Sequence, residues 1–98
     1  MSKYDMKVLN AASKCMSFEE YEGFCDALDA GRAYAVITRA QTDRGIARAV
    51  IKDFAMDRDM DTEMFDVADG KRSLRSILGD GYSLYTSRTV TMFVMYVL

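Results

Sequence analysis

The chain contains no histidine, proline or tryptophan among its 98 residues. Without histidine it cannot form a Ser-His-Asp triad or a metal site with histidine ligands. Without proline it offers no proline-rich segment to recognition domains. These absences exclude most familiar enzyme designs, and we predict a protein that is not an enzyme and binds no cofactor and no metal.

Cysteines and long apolar runs are also scarce. Cys15 and Cys25 are the only cysteines, too few for a disulfide scaffold or for a four-ligand zinc site. We interpret both as buried, unreactive thiols on apolar helix faces. The longest apolar run is the seven residues 92–98, against about 20 needed for a helix that spans a bilayer. The amino terminus shows no signal or transit peptide pattern, so we expect a cytoplasmic location and no contact with a membrane.

Half of the chain is apolar, and 13 basic residues stand against 15 acidic ones, for a net charge of −2. We expect one domain, 1–98. A domain of this length buries only about two thirds of the surface that its unfolded chain exposes, which favours association with a partner or a second copy. Net acidity disfavours nucleic acid as a partner, because affinity for phosphates requires concentrated positive charge.

The clearest predicted element is a helix from about Phe18 to Ala30. Ser17 and Glu20 have the spacing of a capping box, and Gly31 can end the helix. Four residues recur at helical spacing and predict its buried stripe: Phe18, Tyr21, Cys25 and Leu28.

Three further helices are predicted from apolar periodicity, over 3–15, 44–57 and 73–78. In the second of these, Thr42 or Asp43 can provide the cap. The segment 64–68 fits either a short strand or one helical turn, and the pattern leaves both open.

Strands are predicted over 33–40 and in two carboxy-terminal segments, 82–86 and 89–98, which are rich in Tyr, Thr, Val, Phe and Met. The last two segments predict a hairpin around Ser87 and Arg88. The fold class that follows is α+β, with N-terminal helices packed on a small, mainly antiparallel sheet that ends in a C-terminal β-hairpin.

The strongest charge feature is the segment 57–70, in which six acidic residues and one basic residue give a net charge of −5. Its opening resembles a calcium-binding loop, but the sixth position is Thr62 instead of glycine and the twelfth is Ala68 instead of glutamate. The segment therefore fits a solvated connector or a docking surface better than a cation site. The residues that would bind a basic partner are Asp57, Asp59, Asp61, Glu63, Asp66 and Asp69.

Arg44, Arg48 and Lys52 recur every fourth residue and form a basic stripe on the third predicted helix. The stripe suggests a solvated face, a contact with an acidic partner or, as an alternative function, a small regulator that binds nucleic acid. It is short, and the spacing of the preceding turn does not match a helix-turn-helix motif.

The segment 89–98 is apolar on both faces and carries no charge, so a strand there must be covered on both sides. It either lies centrally in the sheet beneath helices or pairs with a second copy. In the second case the chain is a subunit of a homodimer or larger homo-oligomer. Self-association would then use Val90, Met92, Val94 and Tyr96.

Taken together, these features predict a non-enzymatic protein-binding module that occupies a basic surface on a larger protein or ribonucleoprotein. Small acidic chains that lack a catalytic constellation and a targeting signal are typical of phage-encoded inhibitors. We therefore expect an inhibitor of a host or defence complex, of the anti-CRISPR kind.

Overall fold

The computed structural model describes residues 6–96. Within that range five helices and three strands follow one another in the order α1 (Met6–Cys15), α2 (Phe18–Asp29), β1 (Ala33–Thr38), α3 (Asp43–Asp53), α4 (Thr62–Ala68), α5 (Leu74–Leu78), β2 (Tyr82–Thr86) and β3 (Thr91–Tyr96). Parts of two predicted elements, 3–5 and 97–98, lie outside the described residues.

The helices begin where short polar side chains can satisfy their first N–H groups. At α2 the capping box is confirmed: the Ser17 hydroxyl accepts a hydrogen bond from the Glu20 N–H (3.2 Å), and the Glu20 carboxylate accepts one from the Ser17 N–H (3.1 Å). Thr42 caps α3 by accepting from the Gly45 N–H (3.2 Å). Ser73 caps α5 in the same way.

Three helices end with a residue in the left-handed region, Gly31 after α2, Ala55 after α3 and Gly70 after α4. In each case two backbone hydrogen bonds close a Schellman motif on the last helical carbonyls. The predicted extension of α3 to residue 57 is wrong. Alanine in a sequence does not indicate the end of a helix, yet Ala55 adopts φ 50° and turns the chain out of the helix.

The predicted stripe of α2 is wrong at its first position. Phe18 is 74% exposed, whereas Phe24 and Leu28, four residues apart, form the buried line of the helix. The open segment 64–68 is helical and belongs to α4, because Asp61 caps it and Met64, Val67 and Ala68 face the interior.

The sheet has the order β1-β3-β2 and both pairings are antiparallel. β3 is the central strand: Val94 lies opposite Ala35 of β1 on one side and Ser83 of β2 on the other. The predicted strand in 33–40 and the predicted hairpin are confirmed, and the fold class is α+β as expected.

Alternate residues of β3 enter two different cores. Met92 and Val94 pack with α1 and α2 in a cluster that also contains Ala12, Met16, Phe24, Leu28 and Ala33. Phe93 packs on the other face with α3, α4 and α5 in a cluster that also contains Val36, Ile46, Ala47, Val50, Met64, Val67, Ala68 and Leu74. The sheet is therefore covered by helices on both faces, as the charge-free sequence of β3 requires.

We expect Ala55→Gly to raise the free energy of unfolding by about 1 kcal/mol, because glycine relieves the positive φ at the end of α3. Gly70→Ala, at the matching position of α4, should lower it by at least about 1 kcal/mol, since its new Cβ would also lie 3.3 Å from Arg44. Urea titration of the two variants measures both changes. Equal effects of the same sign would contradict this account.

Candidate interaction surfaces

The acidic surface, which we define as Asp57, Asp59, Asp61, Glu63, Asp66 and Asp69, is carried by α4 and the loop before it. Two of its carboxylates build that loop. Asp57 accepts a hydrogen bond from the Met60 N–H (2.7 Å), and Asp61 accepts one from the Met64 N–H (3.1 Å) as the cap of α4. These two carboxylates therefore have structural roles that the sequence pattern did not predict.

Two more members of the acidic surface form ion pairs. Arg58 lies 3.3 Å from Asp69 and places its guanidinium 4.7 Å from the centre of the Phe65 ring, so it lies against the outer face of α4. Arg72 lies 3.5 Å from Glu63. Both pairs are largely exposed and add little stability. Their main consequence is to offset part of the negative charge at two points of the surface.

Asp59 and Asp66 are the remaining members. Asp59 is exposed and Asp66 is half-buried, and no residue within 6–96 forms an ion pair or side-chain hydrogen bond with either carboxylate. Nor do the described acidic side chains converge on a cation: no cluster of three or more potential ligands in this range could hold a metal ion. Asp57, Asp59, Asp61 and Asp66 form no ion pair within residues 6–96, and of these four only Asp59 and Asp66 also lack a side-chain hydrogen bond there.

The basic stripe lies on the exposed side of α3, opposite the buried line of Ile46, Ala47 and Val50. Its three members do not act alike. Arg44 lies across Gly70 at the end of α4, with its Nε 3.3 Å from where a Cβ on Gly70 would lie, whereas Arg48 is exposed and Lys52 lines a cavity beside β1. Arg44, the first member of the stripe, thus lies beside the end of the acidic segment 57–70. The stripe is therefore less suited to bind a continuous row of phosphates.

The structure corrects the alternative in which the last strand pairs with a second copy. Both edges of β3 are occupied, by β1 and by β2, and Met92 and Val94 are fully buried inside the chain. Val90 precedes the strand and is half-buried, and Tyr96 keeps 42% of its surface exposed. Strand pairing needs free backbone groups, which β3 does not offer.

The prediction that both thiols are buried is also wrong. Cys15 and Cys25 are free and partly exposed, on α1 and α2 respectively. Their helix faces border the core and do not fill it, because Ala12, Met16, Phe24 and Leu28 take the interior positions.

A polar contact that the sequence pattern does not predict joins α2 to the sheet. The Tyr85 hydroxyl donates a hydrogen bond to the Glu20 carboxylate over 3.3 Å. The backbone N–H of Ser17 holds the pKa of Glu20 below its usual value, with help from the Ser17 hydroxyl and Tyr85. Burial, and then the negative charge of Glu20, raises the pKa of both Tyr85 and Tyr96. We interpret this contact as a structural link between layers.

A groove follows the outer edge of β1, the edge that does not pair with β3. It has a volume of about 590 Å³ and lies between α1 and the end of α3. We call it the β1 groove; its lining residues are Lys7, Val8, Tyr34, Ala35, Val36, Ile37, Thr38, Arg39, Asp53, Phe54 and Val90. Five consecutive strand residues, 34–38, and the following Arg39 line it, because the free edge exposes residues from both faces. Only the strand order reveals this feature.

No known protein family, curated protein or solved structure shows significant similarity to this chain. Among the helices described within 6–96, none is both long and apolar enough to cross a membrane. The geometry of the described residues therefore has to carry any functional assignment.

We expect Asp61→Ala to lower the free energy of unfolding by about 1 kcal/mol, because it removes the cap of α4. Asp59→Ala, two residues away, should change it by less than about 0.5 kcal/mol, since exposed residues without such a role tolerate substitution. Chemical denaturation measures the free energy of unfolding of both variants and so distinguishes a carboxylate that caps a helix from one that has no such role. If Asp59→Ala lowered the free energy of unfolding as much as Asp61→Ala does, the different roles assigned to these two carboxylates would be contradicted.

Proposed function

We propose that this chain is a protein-binding module whose acidic surface docks on a basic surface of a larger protein or ribonucleoprotein. The observation that carries the proposal is that Asp59 and Asp66, two carboxylates in a segment of net charge −5, have no ion pair or side-chain hydrogen bond among residues 6–96. Such a field steers a basic partner into contact and raises its association rate.

The structural roles of the other four carboxylates support the same proposal. Asp57 and Asp61 accept backbone hydrogen bonds that order the loop and the start of α4, while the exposed ion pairs of Glu63 and Asp69 add little to this order. A surface that is ordered before binding pays less conformational entropy when the partner arrives. Glu63 and Asp69 can also exchange their exposed ion pairs with Arg72 and Arg58 for contacts with basic groups of the partner.

The remaining parts of the predicted function stay predictions. A role as a phage-type inhibitor of a host or defence complex rests on size, charge and the lack of a catalytic constellation, and so does the absence of enzymatic activity. The alternative of a nucleic-acid regulator would use Arg48 and Lys52, since Arg44 packs against Gly70.

We expect the double variant Asp59→Lys/Asp66→Lys to lose at least about tenfold in partner binding, since each 1.4 kcal/mol of lost interaction is a factor of ten. The matched control, Glu22→Lys/Asp26→Lys, reverses two exposed carboxylates on α2 and changes the net charge equally. The measurement compares proteins captured from a lysate of the source cell by the wild-type chain and both variants, at low and high salt. Circular dichroism checks that all three are folded.

A protein that is retained by the wild type and the control, lost with the double variant, and released by salt supports the acidic surface. Equal capture by all three chains contradicts it. Capture that nuclease treatment abolishes and that Arg48→Glu weakens assigns the function to the basic stripe instead.

A further inference from the structure

The hydrogen bonding of the sheet decides which backbone groups of β1 remain available. The Tyr96 N–H donates to the Gly81 carbonyl over 3.2 Å, so even-numbered residues of β3 bond toward β2. In an antiparallel ladder successive residues direct their N–H and C=O groups to opposite sides. Odd-numbered residues of β3 therefore bond toward β1.

The register of β1 against β3 then identifies the free groups. Tyr34, Val36 and Thr38 lie opposite odd-numbered residues of β3 and bond to them. Ala35 and Ile37 lie between these residues and direct their N–H and C=O groups outward, where no strand within residues 6–96 pairs with them. Both residues line the β1 groove. The complement of such groups is an extended chain that adds a strand to the sheet.

The charges around the β1 groove decide which kind of chain fits. Three basic residues, Lys7, Arg39 and Lys52, line the groove and an adjoining cavity of about 480 Å³, against one acidic residue, Asp53. Arg39 and Lys52 are exposed, and neither forms an ion pair or side-chain hydrogen bond with another residue of 6–96. This excess of positive charge attracts an acidic segment and repels a second copy of the same face.

The outer edge of β2 is also free, but the charge beside that strand has the opposite sign. Tyr85 of β2 donates a hydrogen bond to the Glu20 carboxylate. An acidic segment added there would therefore lie near an anion. β1 combines free backbone groups with positive charge, which distinguishes its edge from that of β2.

A polypeptide fits the β1 groove better than a nucleic acid does. Arg39 and Lys52 would attract phosphates as well as carboxylates, but a sugar-phosphate backbone has no amide N–H groups for the outward carbonyls of Ala35 and Ile37. A polypeptide strand satisfies the donors and the acceptors of that edge together.

We propose that the β1 groove binds an extended acidic segment of a partner protein, which adds a fourth strand to the three-stranded sheet. The backbone of this segment bonds to Ala35 and Ile37, and its carboxylates contact Arg39 and Lys52. The site is separate from the acidic surface on α4 and has the opposite charge preference. Its test uses peptides instead of cell lysate, so the two proposals can fail independently.

The test begins with a displayed library of short random peptides, from which the wild-type chain selects its ligands. The most enriched peptide is synthesised with a fluorescent label, and fluorescence anisotropy measures its Kd. Two further versions carry N-methyl groups on the odd-numbered or on the even-numbered backbone nitrogens. Methylation keeps every charge but removes donors, so strand pairing predicts that one version binds much more weakly than the other.

Two proline variants test the backbone contacts. Ala35→Pro removes an outward N–H of β1 and spares the bonds to β3, and proline is tolerated at such edge positions. Leu84→Pro is the matched control at the outer edge of β2, where the register also directs the N–H outward. We expect Ala35→Pro to raise the Kd of the selected peptide at least about tenfold, and Leu84→Pro to leave it unchanged.

Two charge variants test the choice of an acidic segment. Arg39→Glu/Lys52→Glu reverses the two unpaired cations of the groove and the adjoining cavity. The matched control, Lys14→Glu/Lys71→Glu, reverses two exposed cations that line neither of them. We expect the first variant to raise the Kd at least about tenfold, and the control to bind as the wild type does.

The outcomes that overturn the proposal are distinct. It is wrong if no peptide is enriched, if the enriched peptides have no excess of acidic residues, if both methylated versions bind equally, or if Ala35→Pro or Arg39→Glu/Lys52→Glu binds as the wild type does. Oligothymidylate that binds more tightly than the selected peptide and is lost with Arg39→Glu/Lys52→Glu assigns the groove to nucleic acid instead. A wild-type dimer in sedimentation equilibrium that Ala35→Pro dissociates assigns it to a second copy.

Amide hydrogen exchange of the wild-type chain tests the same site without a variant, should Ala35→Pro not fold. The bound peptide should slow exchange at Ala35 and Ile37 and leave the outward amide of Leu84 unchanged. Exchange at Ala35 and Ile37 that the bound peptide does not slow overturns the proposal.

Discussion

The rest of the structure depends on one constraint, the need to cover both faces of β3. Met92 and Val94 on one face and Phe93 on the other are fully buried, and each face needs its own layer of helices. α1 and α2 supply one layer, and α3 to α5 supply the other. Because β3 also uses both of its edges, β1 and β2 become the outer strands and carry the free edges of the sheet.

The second layer explains how the acidic surface is presented. α4 turns Met64, Val67 and Ala68 into the core, which leaves Glu63 exposed and Asp66 half-buried on its other sides. Asp43 strengthens this layer, since its carboxylate accepts a hydrogen bond from the Leu74 N–H (3.0 Å) and links α3 to α5 across 31 residues of sequence. Asp57 and Asp61, which order the loop and begin α4, therefore also fix the position of Asp59 between them.

Local signals in the sequence predicted much of the fold. The capping box of Ser17 and Glu20, the strand at 33–40 and the hairpin are confirmed, because each depends on residues close together in the chain. The predictions failed where the deciding contact is distant or the signal is absent. Phe18 has the right spacing for burial, but it lies at the solvent-facing start of α2. Ala55 follows α3 with a positive φ, a backbone conformation that glycine adopts far more readily than alanine.

Three properties could be predicted from the sequence: the α+β fold class, the accumulation of negative charge in 57–70 and the need to cover the last strand on both sides. These properties follow from composition and from periodicity within single elements. Tertiary packing was needed to show which carboxylates of the acidic surface lack a partner among residues 6–96 and which strand edges stay unpaired. The reason is physical: an ion pair such as Arg58 with Asp69 depends on how the loop folds onto α4, and an open edge depends on strand order, which arises from packing between segments distant in sequence.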